Sequence, residues 1–368
     1  MQRKRRFFLQ SRPDFSRNNL DCLRLILAGI VVLFHTAALT NLPAFRILGI
    51  YCSPHFAVRS FFVISGFLIY RSYTRSSTLG SYYSKRIRRI YPAYCAVICV
   101  AAGTLWLVSS DSPMRYFLSL GIWKYVGANL LFMNFAAPSL PGVFTANHLP
   151  QVDGALWTLK IEVAFYIFVP LIHHLCTRFG TKKTIAAIFV FSTAWKYGFE
   201  WLAYLHNAQL PASEEGARNI YAKLAVQFPA QLVYFSAGIL LLLYFDKLRA
   251  HFPLVAAVTL CLFLSDQFLT HDSLDVFWIS GIVLVFGFWK YLGNFSKHGD
   301  FSYGVYIVHW PILQLLIHFG VAQRSPALFF CLSVVLIAFA SFLLWHLVEK
   351  RFLATSSHYR QAVKPAGA

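Results

Sequence analysis

The sequence predicts an all-α integral membrane protein with about ten transmembrane helices. Three observations lead there. Of its 368 residues, 58% are hydrophobic and only 13% are charged, about half the charged share of a soluble domain. Mean hydropathy is +0.56, and Phe, Tyr and Trp make up 17% of the chain. A single soluble domain of this length has too much surface to cover and too little polar side chain to cover it. The third observation is the distribution of Lys and Arg, which gather in alternate loops.

Apolar stretches near twenty residues long mark the spans. They fall at 20–40, 56–70, 90–109, 156–175, 184–206, 224–245, 252–269, 275–290, 301–319 and 327–348. The first carries a basic flank like that of a signal peptide, but it is too long for one and contains Arg24 and His35, so it is read as a retained helix. The stretch 117–135 is interrupted by two glycines and a lysine and reads as an interfacial or re-entrant helix in a long loop. With both termini cytoplasmic, the inner loops hold 23 Lys/Arg and the outer loops six. An eleventh span at 117–135 would invert every later loop and destroy that asymmetry. The organisation is therefore a basic cytoplasmic N-terminus over 1–19, one membrane domain over 20–352 and a cytoplasmic tail over 353–368.

The formal charge of +19 is explained by topology determinants and does not form the single stripe of a nucleic-acid binder. The seven cysteines show no CxxC and no Cys/His metal spacing, and are read as small buried hydrophobes. No metal site is expected.

Ionisable side chains inside a span cost several kcal/mol unless paired or hydrated, which makes each a functional candidate. Arg24 and His35 are eleven residues apart, so they return to nearly the same helix face about 16 Å apart. Arg24 then sits at the cytoplasmic mouth and His35 near mid-depth, with Asp21 one turn before Arg24 as its partner. The fourth span carries Lys160 and Glu162 behind an interfacial Trp157; a buried Glu162 needs a His or Arg on a facing helix. In the ninth, Ser302, Tyr306 and His309 share a face at i, i+4 and i+7. Two histidines and a glutamate at membrane depth on three helices form one interior site. Arg59, Lys196, His206 and His346 lie nearer span ends, where snorkelling accounts for them. Before the third span, Lys85, Arg86, Arg88 and Arg89 form a basic run suited both to lipid phosphate and to a phosphorylated ligand, since Arg matches phosphate bidentately.

Taken in order, these segments resemble the acyltransferase 3 family of membrane O-acyltransferases. LDCLRLILAGIVVLFH carries its Arg-x10-His pattern at Arg24 and His35. FFVISGFLIY (61–70) is similar to its second-span signature, and IRRIYPAY (87–94) ends its RxxR element at Arg86 and Arg89. LWTLKIEVAFYIFVPL (156–171) resembles its Trp-containing motif with buried Glu162, and FSYGVYIVHWPI (301–312) and VEKRF (348–352) resemble its closing motifs.

The resemblance implies transfer of an acyl group, usually acetyl, from cytoplasmic acetyl-CoA to a hydroxyl of an envelope or extracellular polysaccharide such as an exopolysaccharide or O-antigen unit, including polyprenyl-linked ones. It also implies the bacterial cytoplasmic (inner) membrane. Many relatives carry a C-terminal SGNH hydrolase-like domain; this chain ends about 15 residues after its last motif and is expected to act without one. In the expected mechanism, Arg24, Arg86, Arg88 and Arg89 hold the cofactor and His35 is the general base. Glu162 or another acid orients it, His309 joins the catalytic set, with His309, Tyr306 or Lys160 steadying the oxyanion or aligning the acceptor, and Asp21, Tyr306, Lys160 and Trp157 contact substrate. The rival readings are a proton-coupled transporter or flippase, disfavoured by the lack of an inverted repeat, and a non-catalytic polysaccharide-secretion partner.

Overall fold

A computed structural model describes residue 15 and residues 17–207, 220–270, 274–354 and 357. The predicted N-terminal arm before residue 15 and most of the 353–368 tail lie outside the described residues. Among the described residues there is no strand, and a helix occupies each of the ten predicted stretches.

We number the principal helices α1 (Leu20–Thr40), α2 (Pro54–Thr74), α3 (Leu79–Thr104), α4 (Leu120–Leu130), α5 (Trp157–Phe179), α6 (Thr181–Asn207), α7 (Phe228–Leu243), α8 (Phe252–Ser265), α9 (Asp275–Phe288), α10 (Ser302–His318) and α11 (Pro326–Leu344). Six segments are long and apolar enough to cross a membrane: Leu20–Thr40, Pro43–Thr74, Leu79–Val108, Trp157–Phe179, Ile220–Leu243 and Pro326–Phe352. The chain is a multi-pass membrane protein. Its outer faces carry side chains such as Val190 (70% exposed), Trp201 (61%) and Val335 (62%), which water would penalise and lipid accepts.

Local chemistry sets the helix ends. Ser53 and Ser325 accept the backbone N–H three residues on, each followed by a proline whose fixed φ suits the first turn. Thr78 caps α3 in the same way, and α1 ends at Asn41 in the left-handed region, φ 49°. No single long helix fills the 117–135 stretch. Ser119 breaks it with extended backbone and Phe132 with φ 60°, leaving helices of six and eleven residues. Eleven residues rise only about 16 Å, roughly half the hydrocarbon thickness.

Helix α1 is the axis of the packing, in contact with α2, α9 and α10, while α10 also packs on α11 and α3. The α2–α7 pair is the most intimate. A Cβ on Gly66 would lie 2.0 Å from the Phe235 carbonyl oxygen, and one on Gly238 would lie 2.0 Å from the Val63 carbonyl oxygen. The two backbones touch as small residues permit in membrane helix pairs.

The cysteines are all free, as expected, but only Cys22 and Cys176 are buried; Cys99, Cys261 and Cys331 point outward. Lipid makes an outward face as apolar as the core, so hydrophobicity does not separate the two.

Gly238→Ala should force α2 and α7 apart and cost about 1–3 kcal/mol, read as a lower unfolding midpoint in detergent. Gly103→Ala on α3, where nothing lies within 4 Å of the new Cβ, should be neutral or stabilising in the same assay.

Candidate active site

Helices α1 and α10 bring His35 and His309 together. His35 Nδ1 lies 2.8 Å from His309 Nε2. The rings are 6° from parallel with centroids 5.1 Å apart, so the two nitrogens meet edge to edge, as an N–H···N bond requires. The hydrogen bonds determine where the protons sit. His309 Nδ1 is 2.7 Å from the Tyr306 carbonyl oxygen, which only accepts, so Nδ1 carries the proton. In the neutral ring Nε2 is then a lone pair, and His35 Nδ1–H must donate to it. That leaves His35 Nε2 bare. His309 is fully buried, whereas His35 is partly exposed. Trp310 sets its ring edge-on to His35 at 4.7 Å. Tyr306 reaches α5, its hydroxyl 2.7 Å from Thr158 Oγ1 and 3.3 Å from the Ala155 carbonyl oxygen.

One end of α10 carries a charge cluster. Asp300 accepts from Arg24 at 2.5 Å and from Arg89, and is also bonded by the Ser302 hydroxyl at 2.5 Å and the Ser302 amide at 3.2 Å. Arg89 also reaches Glu349 at 3.2 Å, and Arg24 lies 3.9 Å from Asp21, the pairing expected from the i, i+3 spacing. Burial alone would raise the Asp300 carboxyl. The two guanidinium groups and the Ser302 bonds outweigh it and hold the group well below the usual carboxylate range, so Asp300 is ionised at neutral pH.

Between cluster and histidine pair lies a cavity of about 50 Å³ lined by Arg24, Phe61, Thr158, Glu162, Ser302 and Tyr306. Glu162 accepts the Tyr166 hydroxyl at 2.6 Å, a partner one turn away on its own helix. It lines the cavity with Arg24 and is not hydrogen-bonded to either histidine among the described residues. The side chain hydrogen-bonded to His35 is His309.

The structure thus gathers His35, His309, Tyr306, Glu162, Arg24 and, through Asp300, Arg89 and Asp21. Arg86 lies at the edge, donating to Ser72 Oγ at 3.3 Å, and Arg88 is exposed; neither has a carboxylate within 4 Å among the described residues. Lys160 turns away to Gln227 Oε1 at 2.7 Å and lies 4.8 Å from the Phe135 ring, while Trp157 packs half-buried against the core. No group of three or more metal-ligating side chains occurs among the described residues.

Sequence reasoning missed the acids. Asp300 is the partner of Arg24 and Arg89, and Glu349 of Arg89; only the Asp-x-Ser ahead of α10 signalled a cap. Arg59 does not snorkel: it pairs with buried Asp275, which also accepts the Tyr234 hydroxyl at 2.6 Å. Lys196 is likewise buried, over the Tyr197 ring. The 147–155 loop is tied to the far end of α10. Gln314 donates to the carbonyls of Leu149 and Gln151, Asn147 donates to Gln314 Oε1 at 2.8 Å, and Trp310 donates to the Gln151 carbonyl at 3.1 Å. Gly154 lies so close to Trp310 that a Cβ would sit 2.4 Å from the indole.

The acyltransferase 3 family model, described as an acyltransferase domain, matches residues 17–346. The chain is 28% identical over 364 residues to an O-acetyl transferase of Shigella phage Sf6, covering 92% of this chain and 97% of the relative. It is 26% identical over 335 residues to Nodulation protein 10 of Rhizobium leguminosarum bv. viciae, covering 83% and 85%. To the O-acetyltransferase OatA of Staphylococcus aureus it is 29% identical over 152 residues, 37% of this chain and 23% of that one. No solved structure matches.

The proton placement is directly measurable. In 15N-histidine spectra of the neutral protein, His35 and His309 should both appear as Nδ1–H tautomers; a His35 protonated at Nε2 would contradict the hydrogen-bond direction.

Proposed function

The chain belongs to the acyltransferase 3 family, and from that premise we propose that it transfers an acetyl group from acetyl-CoA to a hydroxyl of an envelope or extracellular polysaccharide, with His35 Nε2 as the general base. The single observation that carries this reading is the bare Nε2 of His35. A ring nitrogen with a lone pair, backed by a proton-fixed neighbour, is the arrangement general-base catalysis needs. His309 plays the part of orienting partner, holding the tautomer and the ring plane as the third member of a triad does.

The step balances as follows. The acceptor hydroxyl oxygen attacks the thioester carbonyl carbon while His35 Nε2 takes its proton. The tetrahedral oxyanion collapses and breaks the C–S bond, and the coenzyme A thiolate leaves with the proton that His35 returns. The Tyr306 hydroxyl, which shares a hydrogen bond with Thr158, lines the cavity and is the group assigned to the oxyanion or to the acceptor, whereas the Ser302 hydroxyl proton is already given to Asp300. Glu162 and Arg24 are the charged side chains of an otherwise largely apolar lining.

Donor phosphates go to Arg86 and Arg88, whose guanidinium groups are not committed to carboxylates, while Arg24 and Arg89 are held at the mouth by Asp300 and Glu349. A 50 Å³ cavity accommodates one or two waters and not a pantetheine arm, so donor binding must spread α1, α5 and α10. The acceptor approaches from the opposite end, where Trp157, Lys160 and the aromatic 110–155 loop lie. The proposed topology is ten crossings of the bacterial inner membrane with both termini cytoplasmic. The 23-to-6 division of Lys and Arg supports it. It puts the Arg86/Arg88 edge on the side where acetyl-CoA is made and lets the product serve a polysaccharide, lipid-linked or free.

With radiolabelled acetyl-CoA and envelope polysaccharide, membranes holding the wild-type chain should label the carbohydrate, and His35→Ala should lower kcat about 10²-fold or more. Arg86→Ala should raise KM for the donor roughly tenfold, the loss of one charge-assisted hydrogen bond. Label crossing vesicles with the thioester intact would instead make the protein a transporter.

A further inference from the structure

Asp300 lies outside the cavity and touches neither histidine, yet it joins the two helices that carry them. It accepts from Arg24 on α1 at 2.5 Å, from the first turn of α10 through Ser302 at 2.5 Å, and from Arg89 on α3. Its side chain is 1% exposed. At the other end of the same helix pair, His35 of α1 meets His309 of α10 at 2.8 Å.

We propose that Asp300 is a positioning residue for acyl transfer: by tying Arg24 to the start of α10, it sets the axial register at which His35 and His309 meet. This rests on the reading of His35 as the base.

Arg24 and His35 are about 16 Å apart along α1, and Ser302 and His309 about 10 Å apart along α10. Between those two polar junctions both helices bury aliphatic side chains, Leu27 and Val31 on α1 and Ile307 and Val308 on α10. Apolar ridges tolerate sliding, because dispersion and lipid exclusion have little directional preference. Hydrogen bonds of 2.5 and 2.8 Å do not. A slip by one helical turn, about 5.4 Å, breaks either junction, so the two together admit one register. Asp300 is the group at the lower junction with bonds to both helices. Arg89, bound at the same carboxylate and to Glu349, braces the junction against α3 and the turn after α11.

The test compares the full-length protein with Asp300→Asn, an isosteric change that removes the charge. Acetyl transfer and carbethoxylation of His35 by diethyl pyrocarbonate, located by mass spectrometry, are measured in the same lipid nanodiscs. Asp300→Asn should lower kcat at least tenfold, leave KM for acetyl-CoA within about twofold, and speed modification of His35 severalfold as its bond to His309 loosens. Asp300→Glu keeps the charge and should recover part of the rate. If the neutral variant does not accumulate in the membrane, a reduced kcat at unchanged KM for Asp300→Glu is the expected result, and wild-type kinetics the overturning one. An unchanged kcat and an unchanged modification rate in Asp300→Asn would overturn the proposal. A rise in KM alone would also overturn it, by making Asp300 part of the donor site. Wild-type protein without transfer activity, but with His35 protected and then released by Asp300→Asn, would uphold the register and remove the acyl-transfer reading.

Discussion

The hydrogen bond between His35 and His309 is the contact on which the interior of this protein depends. It can form only where a helix from the first tenth of the chain lies against one near its end. It can be directional only because His309 spends its own proton on the Tyr306 carbonyl. Remove that carbonyl bond and the proton on the pair has no preferred side. With it, a chain of donors runs from His35 to the α10 backbone and ends in a lone pair that faces away from α10. Everything nearby serves this end. Trp310 closes one side of His35, the 147–155 loop is fastened over Trp310, and Asp300 fixes the lower end of the same helix pair.

Much of the fold was legible because lipid imposes a simple requirement. A crossing helix needs about twenty apolar residues, and charge left inside one stands out. The periodicity of α1 put Arg24 and His35 on one stripe, and that of α10 put Tyr306 and His309 on another. What periodicity does not carry is which stripe faces which. His309, an expected member of the catalytic set, is the side chain hydrogen-bonded to His35. Glu162, expected to orient His35, accepts from Tyr166 and lines the cavity with Arg24.

The acids were hidden for a related reason. Arg24 meets Asp300 across 276 residues, Arg89 meets Glu349 across 260, and Arg59 meets Asp275 across 216. Each acid stands at or beyond a helix end, where a carboxylate looks like an ordinary cap or a solvated loop residue. Only the folded chain carries it to a guanidinium. With 14 acidic residues against 33 Lys and Arg, the use of Asp21, Asp275, Asp300 and Glu349 on these interior arginines shows how selectively the negative charge is placed. The arginines nearest the membrane interior are the neutralised ones, while Arg86 and Arg88 have no carboxylate within 4 Å among the described residues.

The central claim is that acyl transfer takes place beside His35, whose bare nitrogen takes the proton of the attacking hydroxyl. Determining the structure of the full-length protein with a non-hydrolysable acetyl-CoA analogue tests it most directly. The account predicts the acyl carbonyl carbon beside His35 Nε2, within reach of an attacking hydroxyl, and the nucleotide phosphates between Arg86 and Arg88. An analogue bound with its acyl end remote from the α1–α10 contact, or with His35 sealed behind unmoved helices, would contradict it.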